Sequence, residues 1–239
     1  MKTILKTGLS AALLATLAAC GGGNGDSGAT GPKQLSVVFD FDKGVEGWSG
    51  GSSDFTPGTE PANVVFEQRA LSAPLSGKGY FIGGTNRSDD LFLFVKRQFP
   101  GLEKNGVYNL SYTLKFASNV PSGCMGVGGS PGESVWVYAG ATATEPKAVT
   151  VNNEVRMNID KGNQAGAGKD AQILGTLGNG QPCGSTTYVS KTLKSAAPQK
   201  VTADANGAVW VMLGIDSGFE ARSELTLQSV TIDAVPATL

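Results

Sequence analysis

VYNLSYTLKF, residues 107–116, alternates without a break. Tyr108, Leu110, Tyr112, Leu114 and Phe116 share one parity, and Asn109, Ser111, Thr113 and Lys115 share the other. A period of two sends successive side chains to opposite faces of an extended chain. The segment therefore reads as a half-buried antiparallel strand, one face in a core and one in water. Outward from it, DLFLFVKRQF (90–99) is apolar on both parities in its first half, which predicts a strand covered on both sides there. Further strands are expected at 35–42, 63–69, 79–83, 134–141, 147–159, 186–193 and 208–215. The last run, ELTLQSVTIDAV (224–235), changes phase between Leu225/Leu227 and Val230/Ile232, and a β-bulge near Gln228 and Ser229 reconciles the two. No segment carries a 3.6-residue period. With 34 glycines to punctuate it, the chain reads as all-β, with about ten strands in a two-sheet sandwich or a barrel.

The N-terminus has a separate logic. Lys2 and Lys6 precede a short apolar run from Gly8 to Ala19, too short for a span of about 20 residues, so it reads as a secretion signal. It ends in Leu17-Ala18-Ala19-Cys20, which resembles the bacterial lipobox. That resemblance implies cleavage before Cys20 and acylation of Cys20, hence a membrane-anchored lipoprotein of the bacterial cell envelope, with the outer membrane the expected address. Residues 20–33 are then a lipidated cysteine and a glycine-rich tether, and 34–239 a single β-sandwich domain.

Charge and composition exclude several functions. Loss of residues 1–19 removes two lysines and no acid, leaving 17 basic against 20 acidic residues. Nucleic acid is thus an unsuitable partner, because phosphate binding needs a basic stripe. With Cys20 acylated, Cys124 and Cys183 remain; an oxidising envelope favours a disulfide between them, the alternative being two separate buried thiols. Histidine is absent, which removes any Ser-His-Asp triad and any His-ligated zinc. Gly128, Ser130 and Gly132 spell G-x-S-x-G, but Pro131 removes the backbone N–H where an oxyanion donor belongs, and a strand follows instead of a helix. A tight loop beside Cys124 is the expected reading.

The two ends of the domain carry a second resemblance. SVVFDFDKGVEGW (36–48) and SVTIDAV (229–235) resemble the opening and closing strands of galactose-binding-like jelly rolls, the β-sandwiches of many carbohydrate-binding modules. This implies a two-sheet antiparallel β-sandwich of jelly-roll type, with the first and last strands as neighbours and Trp48 buried. It also implies non-catalytic binding of glycan or peptidoglycan. Asp40, Asp42 and Asp233 would then be close, as either a structural calcium site or three solvated carboxylates. Trp136 and Tyr138 share a strand face, either as a flat platform for sugar rings or as core.

Polar loops supply further candidates: Arg87, Asp89 and Asp90 in TNRSDD; Arg156, Asp160, Lys161, Lys169 and Asp170 in 156–170; Asp216, Glu220 and Arg222 in GIDSGFEAR. Arg87, Asp89 and Asp160 are taken as ligand-binding residues beside Trp136 and Tyr138. Two alternatives to glycan binding stand. One is a structural or adhesion lipoprotein with an envelope-protein partner, marked by an exposed apolar patch. The other is a carboxylate-based glycan hydrolase or lyase, which needs two acids facing across a cleft at about 5–9.5 Å.

Overall fold

Every strand pairing is antiparallel in the computed structural model, which describes residues 33–237. The expected signal peptide, Cys20 and the tether up to residue 32 lie outside the described residues. In chain order the strands are β1 (Leu35–Asp40), β2 (Ser49–Ser53), β3 (Ala62–Ala70), β4 (Lys78–Thr85), β5 (Leu91–Pro100), β6 (Val107–Ser118), β7 (Val135–Thr142) and β8 (Ala148–Val151). They continue with β9 (Glu154–Met157), β10 (Gly162–Asn163), β11 (Gly166–Ala167), β12 (Ala171–Thr176), β13 (Val189–Lys194), β14 (Gln199–Thr202), β15 (Ala208–Ser217) and β16 (Arg222–Pro236).

One sheet runs β13–β6–β16–β4–β3, with β14 also on β6 and β1 along β16; the other runs β12–β7–β15–β5–β2. The alternation of β6 decides which way it faces: Tyr108, Leu110, Tyr112, Leu114 and Phe116 are all buried against the opposing sheet. Leu91, Leu93 and Val95 of β5 meet them from the second sheet. The result is an all-β, two-sheet antiparallel sandwich of jelly-roll type. The phase change in β16 is a bulge at Gln228: Leu227 pairs with Phe116 and Ser229 with Lys115, leaving Gln228 unpaired. Leu225, Leu227, Val230 and Ile232 thereby all reach the core.

The expected single strand at 147–159 is instead the hairpin β8–β9, turned at Asn152 and Asn153, both with positive φ (51° and 64°). Consecutive left-handed residues make a tight hairpin turn, and asparagine tolerates that conformation. β2, SGGSS, has no apolar residue to announce it and is held by its pairing with β5.

Phe92 and Phe94 face away from the sandwich core, as the double apolar parity of β5 requires. With Tyr138, Ala171 and Met212 they form a second apolar cluster on the outer face of the β12–β7–β15–β5–β2 sheet. Gly214 permits this, because a Cβ there would lie 2.5 Å from the Phe92 ring. Met157 and Ile159 pack onto the same cluster from the 143–170 segment, which carries β8–β9 and β10–β11. Three ties hold this cover down. Tyr138 Oη lies 2.5 Å from Gln164 O and 3.1 Å from Gly166 O. Lys96 Nζ lies 2.7 Å from both Glu145 Oε1 and Pro146 O. The third tie is ionic and stands at the candidate site.

Candidate functional site

Five charged side chains meet where the cover joins the sheet. Asp216 comes from the end of β15, Asp54 from the turn after β2, and Asp90 from the loop before β5. Arg156 lies on β9, and Lys161 just before β10. Lys161 Nζ sits 2.7 Å from Asp216 Oδ2 and 2.8 Å from Asp54 Oδ2. Arg156 reaches Asp90 at 2.9 Å, Glu154 at 3.1 Å and Asp54 at 3.4 Å. Asp216 is fully buried, Asp54 and Lys161 nearly so. The Lys161 ammonium also lies 4.6 Å from the centre of the Phe92 ring and 5.6 Å from that of Tyr138, each a favourable face for a cation.

Asp54, Asp90 and Asp216, with Glu154 on the exposed side of Arg156, outnumber the two cations. The electrostatics show where the excess is settled. Burial first, then the Asp216 and Asp54 charges, push the Asp90 carboxyl up to about 7, against the pull of Arg156 and Lys161. Burial also raises Asp216, opposed mainly by Lys161. Burial works to release the Lys161 proton, but Asp216 and Asp54 outweigh it and hold the ammonium above its ordinary range. A carboxylate oxygen from each of Asp54, Asp90 and Asp216 lies within 4.8 Å of the other two. Such a group could hold a metal, yet the Lys161 ammonium already stands among them in the role a cation would take.

Two cavities open on either side of Arg156, and both also touch Asp54. One, of about 290 Å³, is lined by Met157, Ile159, Asp160, Lys161, Gly162 and Asn163. The other, of about 270 Å³, is bounded by Phe55, Thr56, Thr59, Ser88, Asp90 and Glu154. Each is lined by apolar and polar side chains together, and each falls just below the 300–1,000 Å³ typical of small-molecule sites.

The sequence-derived candidates divide unevenly. Asp160 lines the first cavity, and its carboxylate accepts the Gly162 and Lys169 N–H groups at 3.3 Å, shaping the loop. Asp89 touches the cover through its backbone, accepting Gln164 Nε2 at 2.9 Å. Arg87 lies apart, with Nη1 3.5 Å from Glu60 O. Tyr138 is buried, so the open Trp136–Tyr138 platform does not exist: the 143–170 cover closes it, and Trp136 packs half-buried at its margin. Of the polar-loop residues, Asp90, Arg156, Lys161 and Asp216 do meet. Asp54 was missed, because an aspartate after a glycine-serine strand reads as an ordinary turn residue.

Asp40, Asp42 and Asp233 do not converge. β1 and β16 are neighbours, but antiparallel register sets Ser229 opposite Asp40 and Ser36 opposite Asp233. Four residues of strand, roughly 13 Å, therefore separate Asp233 from the level of Asp40. Each acid is engaged locally: Asp40 with the Asp42 N–H and Lys43, Asp42 with the Lys78 N–H at 2.7 Å, and Asp233 with Ser36 Oγ at 2.5 Å. Together they do not fit one calcium ion. Cys124 and Cys183 are joined, with an S–S distance of 2.03 Å. Ser130 Oγ accepts the Gly132 and Glu133 N–H groups at 3.2 Å and bonds the Glu133 carboxylate, so G-x-S-x-G is a tight loop.

Fold and site together define a jelly-roll-type β-sandwich with one sheet face capped and a largely buried ionic cluster at the join of cap and sheet. No family model and no curated protein match the chain. Among solved structures it is similar to the family 11 carbohydrate-binding module of the cellulosomal cellulase Lic26A-Cel5E of Clostridium thermocellum, at 12% identity over 88% of this chain and 97% of that one, TM-score 0.37. It is also similar to the mannan-recognising module TmCBM27, at 10% identity over 86% and 99%, TM-score 0.37. The K3 adhesin domain of Lys-gingipain from Porphyromonas gingivalis aligns at 12% identity over 85% and 99%, TM-score 0.32. The fold assignment rests on the strand pairings themselves.

Proposed function

We propose that the chain is a lipid-anchored envelope protein that binds a glycan without catalysis, in the paired cavities beside Arg156. The observation that carries this is the cavities' lining and size. Apolar side chains (Met157 and Ile159; Phe55) share each lining with carboxylate, guanidinium, amide or hydroxyl groups, the mixture that a sugar ring with C–H faces and hydroxyls requires. Their size suits one sugar unit each, with Arg156 between two consecutive units. Preorganisation by the ionic cluster lowers the ordering cost of binding. The anchor rests on Leu17-Ala18-Ala19-Cys20 and the two lysines upstream, and labelled palmitate should enter the wild type but not a Cys20→Ala variant.

A glycan array probed with the full chain, followed by calorimetric titration of the hits, tests the binding. Arg156→Met should weaken a true ligand at least tenfold and Asn163→Ala should weaken it several-fold. Equal affinity in both variants contradicts the assigned site. A protein partner is the second reading, favoured by Met125 and Val127, which are 98% and 66% exposed on the disulfide-tied loop. An array without hits, and a partner whose capture is lost in Met125→Ser, would favour it. A hydrolase would need a glycosidic bond between two acids; Asp54 and Asp216 are bridged by Lys161 and have oxygens within 4.8 Å of each other, too close for that pair to flank one.

A further inference from the structure

We propose that Lys161 and Asp216 condense to an amide, an intramolecular cross-link that the folded protein makes from its own side chains. This is independent of the glycan reading. The two reacting groups are held in contact, Nζ to Oδ2 at 2.7 Å, and both residues are buried, Asp216 completely. Contact of this kind turns a bimolecular condensation into an intramolecular one with a very large effective concentration. The Phe92 and Tyr138 rings flank the pair on one side, and Asp216 is fully buried, which limits the access of water to the carbonyl that would be hydrolysed. Two buried opposite charges become one neutral amide, which removes the desolvation penalty of the pair.

Each of the other two acids has a place in the step. Asp54 Oδ2, 2.8 Å from Nζ, takes a proton from the ammonium. The freed amine lone pair forms the bond to Cγ of Asp216. The Gln164 N–H, 2.9 Å from Asp216 Oδ2, supports the oxygen that stays as the carbonyl. Asp216 Oδ1 and Asp90 Oδ1 are both buried without a hydrogen-bond partner, and the two carboxylates come within 4.8 Å. Asp90, which burial keeps protonated up to about pH 7, passes its proton to the departing oxygen directly or through one water and recovers one from Asp54; the second nitrogen proton, lost as the amide forms, follows the same route through Asp54 and Asp90, so that the oxygen leaves as water. In balance, an ammonium and a carboxylate give an amide and one water. The water carries one Asp216 oxygen and two ammonium protons, and no oxidant, reductant or cofactor is consumed. The product ties the 143–170 cover covalently to β15.

The test is peptide mapping of the full chain, unfolded before digestion. Trypsin cuts after Arg156, Lys161, Lys169, Lys200 and Arg222, so an uncoupled chain yields 157–161, 162–169 and 201–222 separately. The amide blocks the cut after Lys161 and yields 157–169 joined to 201–222, lighter than their sum by one water. That species is expected in the wild type and should be lost in Asp90→Asn, with the separate peptides restored. Lys161→Arg, which keeps the buried cation, should never show it. Full recovery of free 157–161 from folded wild-type protein overturns the proposal. So does a join of 157–169 to 44–69, which would place the bond at Asp54, and so does an undiminished cross-link in Asp90→Asn.

Discussion

At the scale of single residues, Tyr138 shows what alternation can and cannot say. Its parity with Trp136 was legible and correct, but parity does not disclose whether another part of the chain lies over that face. The phenol hydroxyl serves the cover by bonding Gln164 O and Gly166 O. Tyr138→Phe should therefore cost about 1–2 kcal/mol, measurable by denaturant titration, with the cover loosened more than the sandwich. Asp90 provides a pH signature. Its carboxyl, ordinarily near 3.8, is pushed up to about 7 by burial and by Asp216 and Asp54, against Arg156 and Lys161, with the Tyr138 phenol also nearby. Between those values the folded chain keeps a proton that the unfolded chain has lost. Stability from this group is thus present near pH 4 and declines as pH rises towards 7. The difference is on the order of 2 kcal/mol, allowing for solvent at its edge. Thermal melts at pH 5.5 and 8 should show the loss in the wild type and a flatter dependence in Asp90→Asn. Burial, the leading cause, acts whether or not Lys161 and Asp216 are condensed.

At the scale of elements, the strands with apolar periodicity were legible and those without it were not. β5, β6 and the bulged β16 follow from the placement of Leu, Phe, Tyr, Val and Ile. β2, β10 and β11 carry almost no apolar residue and exist because a neighbouring element offers them a ladder or a clamp. The disulfide acts at this scale too, closing a loop across 59 residues between two irregular segments. Breaking it with Cys183→Ser should cost about 4 kcal/mol and lower the melting temperature by roughly 10 °C. A melt unchanged by that substitution would mean that the two loops are held by other contacts.

At the scale of the molecule, the sandwich could be read from sequence because its core strands alternate, and the site could not, because it is assembled from four separate segments. Four of its charged residues were visible as loop polar groups, but their convergence depends on a 28-residue cover folding back over the β12–β7–β15–β5–β2 sheet. The same cover explains why an open aromatic platform is replaced by two small polar cavities. In the proposed function a ligand enters at these cavities. Amide chemical-shift mapping of the full chain, titrated with the array's best glycan, tests it most directly. Shifts should concentrate at Asp54, Arg156, Gly162 and Asn163. Shifts confined instead to the separate cavity that Asp40, Asp42 and Lys78 line, or to the Met125 loop, would contradict it.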